Sequence, residues 1–160
     1  MDTLPFFFVA GNGKDSPADI AKLKAAIEEG YDFVQGSRYL PGGSQGRMPL
    51  YRKISTRFIH PLLFSLITGR NITDSTNGFR AIRVAILDDE RINIDQEWLD
   101  RYELEPYLFY KAIVCGYRVK EVPVTKIYPP KGQGYTKMKA VTGWWSILRP
   151  IFLLGLGIKK

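Results

Sequence analysis

The sequence predicts an α/β domain organised around a parallel sheet, and three observations carry that expectation. A strand, a helix and a second strand follow one another within residues 4–36, joined by a short crossover. The chain has 160 residues, the size of one domain, enough to bury about 70% of the unfolded surface. It is 45% hydrophobic and 24% charged with 15 glycines and 10 prolines, which excludes a disordered tail, a collagen-like repeat and a disulfide-stapled miniprotein.

Each element has a local reason. Residues 4–10 form a continuous apolar run ending at Gly11-Asn12-Gly13, as a fully buried strand would. Ser16 then reads as a helix cap, with Pro17 at the first helical position and Asp19 in the first turn. Ile20, Leu23 and Ile27 make the inward face of this helix, and Gly30 stops it. Residues 31–36 are the next strand, and residues 41–50 a turn-rich loop. Ile54, Phe58, Ile59, Leu62, Leu63, Leu66 and Ile67 recur at helical spacing up to Gly69, with Pro61 expected to kink or interrupt the helix. A turn at residues 74–78 leads into Phe79-Arg80-Ala81-Ile82. A helix over about 104–115 carries Leu104, Leu108, Phe109, Ala112 and Ile113 inward and stops at Gly116. Residues 117–128 are extended, and Pro123 marks an edge or bulged strand.

Charge is unevenly placed. The net charge of +7 lies entirely beyond residue 121, where seven Lys and Arg residues meet no Asp or Glu. Such a tail seeks phosphates, an anionic membrane surface or nucleic acid. The segment from Trp144 to Lys160 is apolar and aromatic, yet its longest apolar run is far short of the about 20 residues that cross a bilayer. Two readings of it stand side by side: a helix docked on the core, or an amphipathic segment lying in a membrane interface. The expected division is residues 1–140 as the α/β domain and 141–160 as this membrane-associating or core-docking tail. Nucleic-acid binding ranks last, because aliphatic residues crowd the tail from Ile147 to Ile158.

Candidate chemistry gathers at strand ends, where α/β proteins bind ligands. Arg38 follows the second strand, Arg52 and Thr56 share a helix face with Arg57 beside them, and Arg80 follows Asn77-Gly78-Phe79. Singly, each arginine reads as a solvated charge or as a partner for Asp74 or Glu103; together in strand-end loops, a phosphate site and a set of surface charges stand as equal readings. Asn12, Lys14 and Asp15 follow the first strand, where oxygen ligands could hold Mg²⁺ and where an Asx turn is the simpler reading. His60 reads as packed or hydrogen-bonded, and the single cysteine, Cys115, as a small buried hydrophobe.

In order along the chain stand Gly36-Ser37-Arg38-Tyr39-Leu40-Pro41-Gly42-Gly43, Arg52-Lys53-Ile54-Ser55-Thr56-Arg57, and Asp74-Ser75-Thr76-Asn77-Gly78-Phe79-Arg80. Tyr102-Glu103-Leu104-Glu105, residues 116–124 and Tyr135-Thr136-Lys137-Met138 complete the set. This ordered set resembles the C-terminal two-thirds of a family 2 glycosyltransferase of the dolichyl or polyprenyl phosphate mannosyltransferase type. The resemblance implies a Rossmann-like GT-A fold, here lacking the N-terminal strands that recognise the nucleotide base. It implies inverting sugar transfer from a nucleotide sugar to a polyprenyl or dolichyl phosphate, by a peripheral protein at the cytoplasmic face of a membrane. By family pattern Arg38, Arg52 and Thr56 act on the acceptor phosphate, with Arg57 beside them, while Arg80 and Lys137 lie near the donor pyrophosphate. The family's Mg²⁺ or Mn²⁺ motif, two aspartates one residue apart before a glycine, is not kept. Ala10 and Asn12 occupy those places, so Asn12 and Asp15 are the remaining metal-ligand candidates. The alternative is a non-catalytic, membrane-associated remnant that binds lipid phosphate and transfers nothing.

Overall fold

A computed structural model describes residues 5–8, 14–100, 102–127 and 140–159, with side chains in the last stretch described at 145 and from 147 onward. Lys137 and Asn12 therefore lie outside the described residues. The elements are β1 (Pro5–Phe8), α1 (Ile20–Glu28), β2 (Phe33–Ser37), α2 (Leu50–Ile54), α3 (His60–Thr68), β3 (Arg80–Arg83), α4 (Leu104–Val114), β4 (Val119–Pro123) and α5 (Ala140–Gly155). Short 3₁₀ turns cover Pro17–Asp19, Val84–Ile86 and Glu97–Leu99.

The four strands lie in the order β1-β3-β2-β4. β2 pairs with β4 in parallel, but β3 runs antiparallel to both β1 and β2. The sheet is thus mixed, which corrects the expected parallel sheet. β1 and β2 do point the same way with α1 between them, but β3 inserts between the two strands. β1 is also not buried on all sides: it is an edge of the described sheet, and Phe6 is 51% exposed. β4 is the other edge, where Pro123 can lack an N–H without breaking a ladder.

Period-two alternation sends successive residues to opposite faces. Val34, Ala81 and Val122 pack with Leu23, Ala26 and Ile27 of α1 on one face. Phe33, Ile82 and Val119 pack with Phe64 of α3, Phe109 of α4, and Ile151 and Leu154 of α5 on the other. Phe33 and Phe64 both stack on Phe109, with centroids 5.0 Å apart in each pair. α1 buries Leu23 and Ile27 as expected, whereas Ile20 is exposed at the first turn. Cys115 is free and half-buried, at the margin of the larger core.

α2 and α3 form one rod joined by a π turn over Ser55–Ile59. Pro61 supplies no N–H to the carbonyl four residues back, and the helix widens just before it. The rod ends at Gly69, whose φ of 65° is the left-handed C-cap that glycine adopts without strain. Among the described residues no helix is long and apolar enough to cross a membrane.

Candidate functional site

The C-terminal end of β2 meets the π turn and the loop 73–77. Three consecutive residues at the end of β2, Ser37, Arg38 and Tyr39, reach four partners, and together they build the site. Ser37 Oγ shares a hydrogen bond with Thr73 Oγ1 at 2.6 Å. Arg38 grips Asp74 with both prongs of its guanidinium, Nε to Oδ2 at 2.7 Å and Nη2 to Oδ1 at 2.8 Å, and Nη2 also donates to Thr76 Oγ1 at 2.6 Å. The Tyr39 hydroxyl bonds the Thr56 hydroxyl across to the helix.

The loop is fixed from below as well. Glu121 on β4 accepts from the backbone N–H groups of Thr73 and Asp74, both at 2.9 Å. Burial pushes the Glu121 carboxyl above its ordinary range, against the pull of those donors. Asn77 Nδ2 donates to Gly36 O at 2.9 Å, and Gln35 Nε2 to Asn77 O at 2.7 Å. Gly36 has to be glycine, because a Cβ there would lie 2.6 Å from the Phe79 carbonyl oxygen.

The arginines divide by burial. Arg38 and Asp74 are buried together, so Arg38 forms the floor of the site with its charge compensated by Asp74. Arg52 is half-buried and Arg57 exposed, and neither is ion-paired to a described carboxylate. Thr56 is buried beside them and donates to Arg52 O at 2.8 Å. The arginine that sequence reasoning placed beside Asp74 or Glu103 is thus Arg38 for the first; Glu103 pairs with Arg149 of α5 instead.

Arg80 lies apart from the other three arginines. It is 1% exposed, opposite Gln35 in the β2–β3 ladder, and donates to Asn77 O at 2.6 Å and Glu105 O at 2.8 Å. Burial pushes its guanidinium below its ordinary pKa, with Glu105 opposing. It ties the loop to the start of α4 from inside the core. Asp15 is buried and holds the Lys126 ammonium, whose pKa burial lowers. A cation would have to displace that lysine. Among the described residues no three His, Cys, Asp or Glu side chains gather into a ligand cluster, and Asn12, the other metal-ligand candidate, lies outside them.

One feature escaped the sequence reading. Leu50, Ile54, Phe58, Leu62 and Leu66 recur every four residues along α2, the π turn and α3, and they face solvent. Leu50 is 70% exposed, Phe58 60%, Leu62 62% and Leu66 70%. Their spacing is also that of a core face, so periodicity alone does not tell the two apart. Between this rod and the loop lies a groove of about 360 Å³ lined by Tyr39, Arg57, Phe58, Pro61, Leu62 and Thr73. In α5, Ile151 and Leu154 enter the core, while Trp145 and Phe152 stack with centroids 6.2 Å apart on its exposed side.

Comparison with known proteins decides the kinship. The chain is 32% identical to the polyprenol monophosphomannose synthase of Mycolicibacterium smegmatis over 127 residues, 79% of this chain and 46% of that protein. It is a relative of the family 2 polyprenyl-phosphate mannosyltransferases. The undecaprenyl-phosphate mannosyltransferase of Micrococcus luteus is 30% identical over 76% of this chain and 49% of its own length. The dolichol-phosphate mannosyltransferase of Pyrococcus furiosus is 32% identical over 86% of this chain and 37% of its own. The chain spans about half the length of the curated relatives it matches. No family model matches it. For a chain of this kinship the mixed sheet with helices on both faces is the GT-A form of the α/β class.

Proposed function

We propose that this chain is the acceptor-recognising part of a glycosyltransferase that moves a sugar from a nucleotide sugar to a polyprenyl or dolichyl phosphate, with inversion, at the cytoplasmic face of a membrane. One observation carries the reading. Two cations without a described acidic partner, Arg52 and Arg57, and the Thr56 hydroxyl sit on a π turn of the same rod that exposes an apolar stripe. A lipid phosphate is such an object: an anionic head on an apolar stem, presented at a membrane surface. Guanidinium groups suit the head, and the stripe suits the bilayer boundary.

The chemistry asks little more of these residues. A phosphate monoester is already anionic at neutral pH, so no general base has to activate it. Its oxygen displaces the nucleoside diphosphate from the anomeric carbon, forming the sugar–phosphate bond as the donor's C–O bond breaks. Arg52 and Arg57 orient the attacking phosphate from the rim, while Arg38, paired with Asp74, keeps the floor beneath them in place. No step is assigned to a metal ion, and Lys137 stays a candidate for the donor side. The pairing of Asp15 with Lys126 favours the second reading, binding of lipid phosphate without transfer. Titration with nucleotide sugars separates the two: metal-dependent binding in the micromolar range supports transfer, and no detectable binding supports the second.

On the acceptor side, alanine at Arg52 or Arg57 is expected to weaken binding of a short polyprenyl phosphate by about 1.5–3 kcal/mol, with the thermal midpoint unchanged. Calorimetric titration checks this. Equal affinity of the wild type and both variants would make these arginines surface charges only.

A further inference from the structure

We infer that Tyr39 is the positioning residue of the acceptor site: one side chain holds Arg57 and Thr56 in the geometry that receives a phosphate. The inference rests on the function proposed above and adds a residue to it.

Three contacts converge on Tyr39. The Arg57 guanidinium lies 5.3 Å from its ring centroid and that of Arg38 5.4 Å, both within cation–π range. Its hydroxyl shares a hydrogen bond with the Thr56 hydroxyl, which is also tied to Arg52 O. Thr56 and Arg57 are neighbours in the π turn, where more residues per turn make consecutive side chains diverge less than in an α-helix. One ring with one hydroxyl can therefore reach both.

Tyr39 is itself well held. Its backbone N–H donates to Ser37 Oγ at 3.2 Å, and that oxygen is tied to Thr73. The preceding residue, Arg38, is locked on Asp74. An exposed arginine on a flexible stem would lose much rotamer freedom on meeting a ligand; Arg57 has part of that freedom removed beforehand. The ring also gives each of the two guanidinium groups an electron-rich partner. The groove that Tyr39 and Arg57 line together opens from this point along Phe58 and Leu62.

The test uses the full chain and farnesyl phosphate as probe, with affinities read by calorimetry for Tyr39→Leu, Tyr39→Phe, Arg57→Ala and the Tyr39→Leu/Arg57→Ala double variant. Tyr39→Leu is expected to weaken binding about tenfold, and Tyr39→Phe, which keeps the ring, about threefold. In the Arg57→Ala background Tyr39→Leu is expected to cost only about the threefold hydroxyl share. A purely structural role would give the same loss in both backgrounds, and that additivity would overturn the inference. Wild-type affinity in Tyr39→Leu would overturn it too. Should Tyr39→Leu lower the thermal midpoint, Tyr39→Trp supplies the second variant: it keeps an aromatic face, and failure to retain the Arg57-dependent share would count against the inference. No binding of farnesyl phosphate by the wild type would instead remove the proposed function, and this inference with it.

Discussion

Replacing Asp74 with alanine is expected to cost the fold about 3–5 kcal/mol, because it strands a buried guanidinium. Arg38 and Asp74 are both buried and joined by two side-chain bonds. Asp74 also accepts from the backbone N–H of Arg38 at 3.1 Å and of Thr76 at 3.2 Å, so one substitution orphans several donors. The thermal midpoint should fall by an amount on the order of 10 °C for a chain of this size. Arg38→Ala leaves the opposite charge unpaired and should do comparable damage. Arg52→Ala and Arg57→Ala stand on the rim and should stay within about 0.5 kcal/mol of the wild type. A melting series over the four variants checks the division into floor and rim. Equal midpoints across all four would remove it.

A second large effect concerns acid. His60 opens α3 and is buried; burial pushes its imidazole from 6.5 down to about 4, with the Asp74 charge pulling it up and the Arg38 charge pressing it further down. The native state therefore holds the ring neutral where the unfolded chain would take up a proton. With the folded value below the unfolded one, this contribution is fully present above about pH 6.5 and is lost as pH falls towards 4. Its size is about 3 kcal/mol over that window. Glu121 works the other way, since its raised carboxyl favours the fold at lower pH. Comparing His60→Gln with the wild type isolates the histidine. Denaturation at pH 7 and pH 4.5 should show a shallower fall for the variant by about 2–3 kcal/mol. The same fall in both would mean that the ring titrates normally in the native state.

Much of this fold is legible residue by residue, and the parts that are not share one cause. α1, β2 and α4 follow from local signals: apolar periodicity, a proline at an entry, glycines at the exits. Pro123 marks its strand as an edge because the missing donor has a purely local consequence. The polarity of the sheet has no such signal. β3 sits between β1 and β2 only because Phe33 faces Ile82 across a sequence separation that no short pattern encodes. The same holds at the site. Arg38, Arg52, Arg57 and Arg80 are alike in sequence, yet Arg38 meets an acid 36 positions away and Arg80 lies opposite a core strand. Asp15 stands in a loop that reads as an Asx turn, while its partner, Lys126, lies 111 positions on. The residues between Val84 and Asp100 fold into two 3₁₀ turns too short to announce themselves by periodicity.

The exposed stripe is the clearest case. Phe58, Leu62 and Leu66 repeat with the spacing of a core face and face solvent instead. Only the burial of Phe64 and His60 on the other side of the rod shows which face packs. In the proposed function that stripe, set beside Arg52 and Arg57, links the phosphate site to a membrane, and co-sedimentation tests the link most directly. Phosphatidylcholine vesicles carrying undecaprenyl phosphate are compared with vesicles matched in charge by phosphatidylglycerol, for wild type, Arg52→Ala and Leu62→Glu. The wild type should pellet several-fold better with undecaprenyl phosphate; Arg52→Ala should lose that preference, and Leu62→Glu should lose association with both. Equal pelleting of the wild type with the two vesicle types would contradict the account.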